Sequence, residues 1–365
     1  MKTVRFAEIR NEFINNLRRN MVIPIIGSGF TRGCKSLKGS VPSGVDYKSY
    51  MTKKICETLS LSNDEIMELD KQSFSKISSY YNHAVPLSKR KEYLRDNFSN
   101  VVLEDFKQKF LQIDWSYIYT LNIDDGIEQS KTYDWVINSN KAVSIDAFDD
   151  HKCLVKLHGD ISEMLKYSEW ENEVFSQEQY LSSLFKNSSL LSKIQHDSAF
   201  QNLLYIGCSL QDEIDLLTYL HVLNPPSEVQ GSLSANYICL IEKPGLLEEI
   251  DYEKFGITHI VLFDTHKDIY TEIIEAWDES RKIRTDDLES FKVSHIGNNT
   301  LSDNFEDNKP YLFFGKSLIN ENRSITLPYF FISANKRFHN INGFSLYAKL
   351  SINSGSPSIS FTSHL

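Results

Sequence analysis

No stretch of this 365-residue sequence approaches the roughly 18–20 consecutive apolar residues that cross a bilayer. The opening segment, MKTVRFAEIRNEF, scatters charges through its apolar positions, unlike a signal peptide, so a cytoplasmic location without membrane contact is expected. Paired cysteines are also missing. Cys34, Cys56, Cys153, Cys208 and Cys239 are odd in number and stand singly, which predicts reduced, mostly buried thiols rather than a disulfide framework or a zinc site. There is no excess of positive charge. The formal net charge of −10 argues against a whole-protein attraction to nucleic acid or to an anionic membrane. Internal repeats and low-complexity tracts are absent as well.

What is present fits a globular chain. Hydrophobic residues make up 41% and charged residues 24%, enough apolar surface for a sizeable core. The length suits one large α/β domain, read as residues 1–285, and a smaller unit over 286–365. Charge divides along the same line. From Phe291 onward seven Lys or Arg stand against four Asp or Glu, a net of +3, so the preceding part carries about −13.

Phe6, Ile9, Phe13, Ile14 and Leu17 recur at helical spacing and predict an amphipathic helix. Met21–Ile26 is a short apolar run of strand type that stops at Gly27-Ser28-Gly29. Residues 46–112 read as a helical insertion, with Ile66, Leu69, Phe74, Ile77 and Tyr81 at apolar positions. Further strands are predicted at Ser116–Thr120, Lys152–Leu157, Leu203–Ile206, Tyr237–Ile241 and Thr258–Leu262, the last followed by a helix around Ile269–Trp277. Short buried strands alternating with helices indicate a Rossmann-like, doubly wound, mainly parallel sheet. Ligands bind such sheets at the carboxyl ends of the strands. Beyond about Thr285 the texture changes to turn residues around aromatic and β-branched clusters such as Tyr311–Phe314, Tyr329–Ile332 and Gly343–Tyr347, which predicts a small β-rich unit.

The polar clusters fall just after strands, on one rim. Gly27-Ser28-Gly29-Phe30 has the small residues that let backbone N–H groups approach an anion, although a tight structural turn would need the same residues. The spacing to Gly33 does not match the usual dinucleotide fingerprint, and no Walker lysine is present. Arg32 is a candidate phosphate partner or a solvated surface arginine. Asn122 and Asp124 follow the strand ending at Thr120, where an Asx turn is the plainer alternative to a role in a cleft. Asp125 reads as a helix cap. His158 ends Lys156-Leu157-His158-Gly159, a setting that none of the other nine histidines shares.

Taken together, Gly27-Ser28-Gly29, Thr120-Leu121-Asn122-Ile123-Asp124, Leu157-His158-Gly159 and Gly207-Cys208-Ser209-Leu210 resemble, in order, four motifs of the sirtuin superfamily over about residues 20–265. Val174–Tyr180 and Ile206–Asp212 resemble more closely the bacterial branch of sirtuin-like NADases in antiphage defence. The resemblance implies that Gly27, Ser28 and Gly29, with Phe30, Arg32 and Thr120 nearby, bind the NAD pyrophosphate and ribose. It further implies that Asn122 positions ribose hydroxyls or the attacking water, that Asp124 holds the nicotinamide carboxamide, and that His158 is the general base. Gly207, Ser209 and Leu210 would line the adenosine end. The chain departs from the family in two respects. It lacks the four-cysteine zinc module of protein deacylases, and it has Val41–Tyr47, with Asp46, where a Pro-Asp-Phe-Arg segment would stand.

The function this implies is hydrolysis of the nicotinamide–ribose bond of NAD, without a metal, as the toxic effector of a defence system. The alternatives are an NAD-dependent protein deacylase and a non-catalytic nucleotide-binding subunit. A homo-oligomer is expected, with a partner such as a HerA-type ATPase or an Argonaute. The aromatics of the C-terminal unit, Tyr311, Phe313, Phe314, Tyr329, Phe330 and Phe331, are read either as packing against the chain's own larger domain or as the contact surface for a neighbouring subunit or partner.

Overall fold

A computed structural model of the chain describes residues 1–138, 147–166, 173–210, 213–222 and 234–282, and beyond them the backbone of five strands. The chain divides into two compact units, Met1–Arg281 and Lys282–Leu365.

The larger unit is built on eight strands: β1 (Lys2–Arg5), β2 (Val22–Ile26), β3 (Tyr117–Thr120), β4 (Trp135–Asn138), β5 (Cys153–Lys156), β6 (Asn202–Ile206), β7 (Tyr237–Leu240) and β8 (His259–Leu262). They form one sheet in the order β1-β8-β7-β6-β2-β3-β5-β4, and every pairing is parallel. The chain builds outward from β2 through β3 to β5 and β4, then returns past β2 to β6, β7 and β8. The topological switch therefore lies between β2 and β6, where an open parallel sheet offers a crevice at its carboxyl edge.

Sequence alternation explains why the sheet is covered on both faces. Val22 and Ile26 join one apolar cluster with Ile118, Leu154, Leu204 and Val261, whereas Ile23 and Ile25 join another with Tyr119, Val155, Tyr205 and Ile260. Helix α1 (Phe6–Arg18) covers the first face, burying Phe6, Ile9, Phe13, Ile14 and Leu17. Each such side chain contributes roughly 1.5–3 kcal/mol. Pro24, in the middle of β2, has no N–H to give to a ladder, and pairing with β3 begins only at Ile25.

Five helices lie between β2 and β3: α2 (Gly44–Leu59), α3 (Asn63–Asp70), α4 (Phe74–Ala84), α5 (Leu87–Phe98) and α6 (Asp105–Leu111). Their starts are chemically marked. Ser43, Ser62 and Ser73 each accept a hydrogen bond from the backbone N–H three residues on. An aromatic group joins α2 to α5, with Tyr50 and Tyr93 stacked at 3.6 Å between centroids and Tyr47 at 5.3 Å from Tyr93. After β3 come α7 (Gly126–Gln129), α8 (Ala147–Asp150), α9 (Ile161–Lys166), α10 (Gln177–Lys186), α11 (Ser188–Phe200), α12 (Ile214–Leu217), α13 (Leu246–Lys254) and α14 (His266–Arg281).

Two strands are additions to the sequence reading. β1 and β4 are four-residue edge strands; β1 is largely exposed and β4 buries only Ile137 and Asn138 while Trp135 is 46% exposed, so neither carries a buried apolar run. In the smaller unit, strands β9 (Lys292–His295) and β10 (Tyr311–Phe314) pair in parallel. Strands β11 (Phe338–Ile341), β12 (Phe344–Asn353) and β13 (Ser356–His364) form an antiparallel sheet. The aromatic side chains singled out there lie outside the described residues, as do Gln211 and Asp212.

Candidate active site

Strand register brings the four polar segments to one level. Ile26 of β2 pairs with Thr120 of β3 on one side and Ile206 of β6 on the other, and Thr120 pairs with Lys156 of β5. Gly27, Leu121, Leu157 and Gly207 thus leave the sheet together, and Asn122 and His158 each stand two residues past paired positions on neighbouring strands.

The glycine turn and the β6 turn touch backbone to backbone. Gly27 N–H donates to Ile206 O and Gly29 N–H to Gly207 O, both at 2.9 Å. A Cβ on Gly27 would fall 2.5 Å from Gly207 O, and one on Gly29 2.8 Å from Gly207 Cα. Gly207 itself has φ +68°, a region that favours glycine. These glycines are therefore required by the closure of the β2–β6 crevice, and two of the turn's N–H groups are already committed there. Ser28 and Gly29 remain exposed on the turn's outer side, and Arg32 is exposed beyond them. Phe30 turns inward. It is fully buried, with its ring 5.6 Å from Tyr270 and 6.2 Å from Phe110, so its side chain belongs to the core.

The loop after β3 is held by three sets of bonds. Thr120 Oγ1 donates to Ile26 O at 3.0 Å and accepts Asn122 N–H at 3.1 Å. Thr31, fully buried behind the glycine turn, donates its hydroxyl to Asp124 Oδ2 at 2.7 Å and accepts Asn122 Nδ2 at 3.1 Å. Asp124 Oδ1 accepts Gly126 N–H at 3.0 Å, which occupies its second oxygen. Burial pushes the Asp124 carboxyl above its ordinary range, against the pull of Lys156 and the Thr31 hydroxyl.

Lys156 closes the loop from the β5 side. Its side chain is fully buried, and its ammonium donates to Asp124 O at 2.7 Å, Ile123 O at 3.3 Å and the carboxylate of Glu128, with Asp160 Oδ2 at 3.9 Å. Burial disfavours the charge, but Glu128, Asp160 and Asp124 outweigh it and raise the lysine. A charge in this position ties three segments together.

His158 is 4% exposed and is backed by two elements. Val174 N–H donates to His158 O at 3.1 Å, and the Tyr180 ring of α10 meets the imidazole edge to face at 5.5 Å. Its Nε2 lies 3.4 Å from both carboxylate oxygens of Asp215, at the start of α12. Asp215 is fully buried and accepts Ser183 Oγ–H at 2.8 Å and Leu216 N–H at 2.9 Å. Burial works against a charged imidazole, yet Asp215, with Glu213 behind it, raises His158 above its usual value. Burial likewise works against the Asp215 charge, but His158, Ser183 and Leu216 hold the carboxyl below its ordinary range.

Of the residues singled out from the sequence, Asn122, Asp124, His158, Thr120, Gly27, Ser28, Gly29 and Gly207 gather at this rim. Leu210, at φ +55°, is buried in the second apolar cluster, and Ser209 beside it is exposed. Asp46 is engaged elsewhere, accepting from the Ser43 N–H and hydroxyl at the start of α2. Three partners were not singled out: Thr31, Asp215 and the buried pairing of Lys156. Among the described residues no group of three or more His, Cys, Asp or Glu could hold a metal ion.

Two buried side-chain oxygens of the site have no partner among the described residues, Asn122 Oδ1 and Glu128 Oε2. Asn122 Oδ1 is a buried acceptor with no donor, while the Nδ2 of the same amide is fixed on Thr31. An orphaned acceptor of this kind costs about 1–3 kcal/mol unless a ligand hydroxyl or water supplies the proton. That is the demand a ribose hydroxyl would meet.

No curated protein matches the chain. Residues 116–259, which run from β3 into β8 and include Asn122, Asp124, His158 and Asp215, match the family model of the SIR2-like domain, which supports a sirtuin-like relationship and an NAD-related function.

Proposed function

We propose that this chain hydrolyses NAD at the nicotinamide–ribose bond. The observation that carries the reading is the pairing of Asn122 and His158 at equivalent positions past neighbouring strands, with the Asn122 acceptor unpartnered. As the C1′–N bond breaks, positive charge builds on the ribose and nicotinamide leaves as a neutral molecule. Asn122 Oδ1 accepts from a ribose hydroxyl or the incoming water and so orients it. His158 takes the proton that the water loses on forming the new C1′–O bond, and releases it to solvent. Orientation and base catalysis are the contributions such groups make.

Asp124 supports the site through Thr31 and the loop; its carboxamide-binding role needs one of its two hydrogen bonds to exchange for the substrate's. Ser28, Gly29 and Arg32, exposed in the turn after β2, would meet the diphosphate, and the exposed Ser209 the adenosine. Val174–Tyr180 supports the back of His158, and its likeness to defence proteins underlies our reading of the chain as an NAD-depleting antiphage effector in the cytoplasm. A homo-oligomer or a partner such as a HerA-type ATPase or an Argonaute would supply the restraint such an activity needs.

The test is incubation of the purified full chain with NAD, with and without an acetyl-lysine peptide, with products separated by chromatography. Nicotinamide and ADP-ribose without peptide are expected. Turnover only with peptide would establish a deacylase instead, and NAD binding without turnover a regulatory subunit. Light scattering on the active species then reads the assembly.

A further inference from the structure

We infer that Asp215 is a positioning residue for His158, holding the imidazole with Nε2–H toward α12 so that Nδ1 is the basic atom of the site. The inference rests on the reading of His158 as the base, but its geometry stands apart from it. Asp215 is 0% exposed and His158 4%, so neither charge is screened by water. Among the described residues the other hydrogen bonds to the carboxylate come from donors: Ser183 Oγ–H at 2.8 Å reaches Oδ2 and Leu216 N–H at 2.9 Å reaches Oδ1. Those bonds aim the carboxylate and keep it ionised. An ionised carboxylate only accepts, so the imidazole nitrogen 3.4 Å from both its oxygens must carry hydrogen. In the neutral ring the lone pair is then on Nδ1. The Tyr180 ring, edge to face at 5.5 Å, packs beside the imidazole and limits its rotation.

Two consequences separate this from a merely structural contact. The ring must be neutral to accept a proton, and Asp215 favours its charged form, so activity falls on the acid side at a higher pH than an isolated histidine would give. The groups acting on the ring are Asp215 and Glu213 from the α12 segment, while α10 contributes the neutral phenol of Tyr180. In Asp215→Asn the amide can present N–H to the ring, which favours the opposite tautomer and places hydrogen on Nδ1.

The experiment combines nitrogen NMR of histidine-labelled protein with kinetics of the full chain. In the wild type the neutral His158 is expected to show a protonated Nε2 and a lone-pair Nδ1; this needs no variant to fold. Asp215→Asn is expected to lower kcat about 100-fold or more, the scale of a wrong-tautomer base, with KM little changed and the acid limb moved to lower pH. Ser183→Ala, which removes one donor that aims Asp215, is expected to lower kcat by less. A wild-type ring protonated on Nδ1 would overturn the inference. So would a folded Asp215→Asn protein whose acid limb and tautomer are unchanged. If His158→Ala hydrolyses NAD normally, the base reading falls, while the tautomer measurement still decides whether Asp215 orients the ring.

Discussion

The Thr31 hydroxyl donates to Asp124 Oδ2 at 2.7 Å, joining the turn after β2 to the loop after β3 through one proton. Thr31 Oγ1 also accepts from Asn122 Nδ2 at 3.1 Å, so it fixes which way the Asn122 amide points. Thr31→Val keeps the shape and removes both bonds. It is expected to lose about 1–3 kcal/mol of stability, the cost of leaving buried polar groups unpaired, and to slow nicotinamide release. Thr31→Ser keeps the hydroxyl and should restore most of both. Chemical denaturation and a nicotinamide assay on the two variants check this, and equal behaviour of Val and Ser would refute it.

The contact between the glycine turn and Gly207 makes a steric prediction. Gly27→Ala sets a methyl group 2.5 Å from Gly207 O, and Gly207→Ala adds a left-handed backbone to a Cβ 2.6 Å from Phe30 N. Each is expected to cost about 1–3 kcal/mol or more, because backbone must move in both cases. Gly44→Ala is the control: nothing lies within 4 Å of its Cβ, and it occupies the first turn of α2. Melting temperatures should fall for the first two and stay level or rise for the third.

The Lys156 ammonium lies between Glu128 and Asp160, and its side chain is 0% exposed. Lys156→Met leaves those carboxylates without their cation. Breaking a buried pair from one side costs about 3–5 kcal/mol, and the lower end applies because Glu128 keeps 20% of its side chain exposed. Denaturant titration measures it; a loss below about 1 kcal/mol would place the pair among weak surface bridges.

The His158–Asp215 pair also sets a pH window for stability. His158 is raised above its usual 6.5, so its contribution is complete below 6.5 and disappears as pH rises through the folded value. Asp215 is depressed below its usual 3.8, so its contribution is complete above 3.8 and disappears as pH falls through the folded value. The stability difference between the wild type and Asp215→Asn should therefore be greatest between 3.8 and 6.5 and shrink on both sides. Melting curves across pH 3–9 read this directly, and a difference that grows above pH 7 would contradict it.

The central strands were legible because each is a buried apolar run that stops at a glycine or a polar residue, as at Ile26–Gly27, Thr120–Leu121–Asn122 and Leu157–His158. β1 and β4 were not, since β1 is largely exposed and β4 buries only Ile137 and Asn138, so neither edge strand carries such a run. Asn122 and His158 were legible as polar residues at strand ends. Their partners were hidden by distance along the chain: Thr31 is 93 residues from Asp124, and Asp215 is 57 from His158 within an ordinary helical pattern. Lys156 did leave a signal. A lysine inside Cys-Leu-Val-Lys-Leu, flanked by buried residues on both sides, must find carboxylates or carbonyls, although the pattern does not say which.

The most direct test of the account is the rate of nicotinamide release from NAD by Asn122→Ala and His158→Ala, without peptide, beside the wild type. Both side chains are buried and bonded, and His158→Ala leaves Asp215 without its partner, so both variants should melt below the wild type, and their folding is verified by circular dichroism before rates are compared. The account predicts that each loses most of the activity, about 100-fold or more for the histidine. Hydrolysis near the wild-type rate by either folded variant would contradict it.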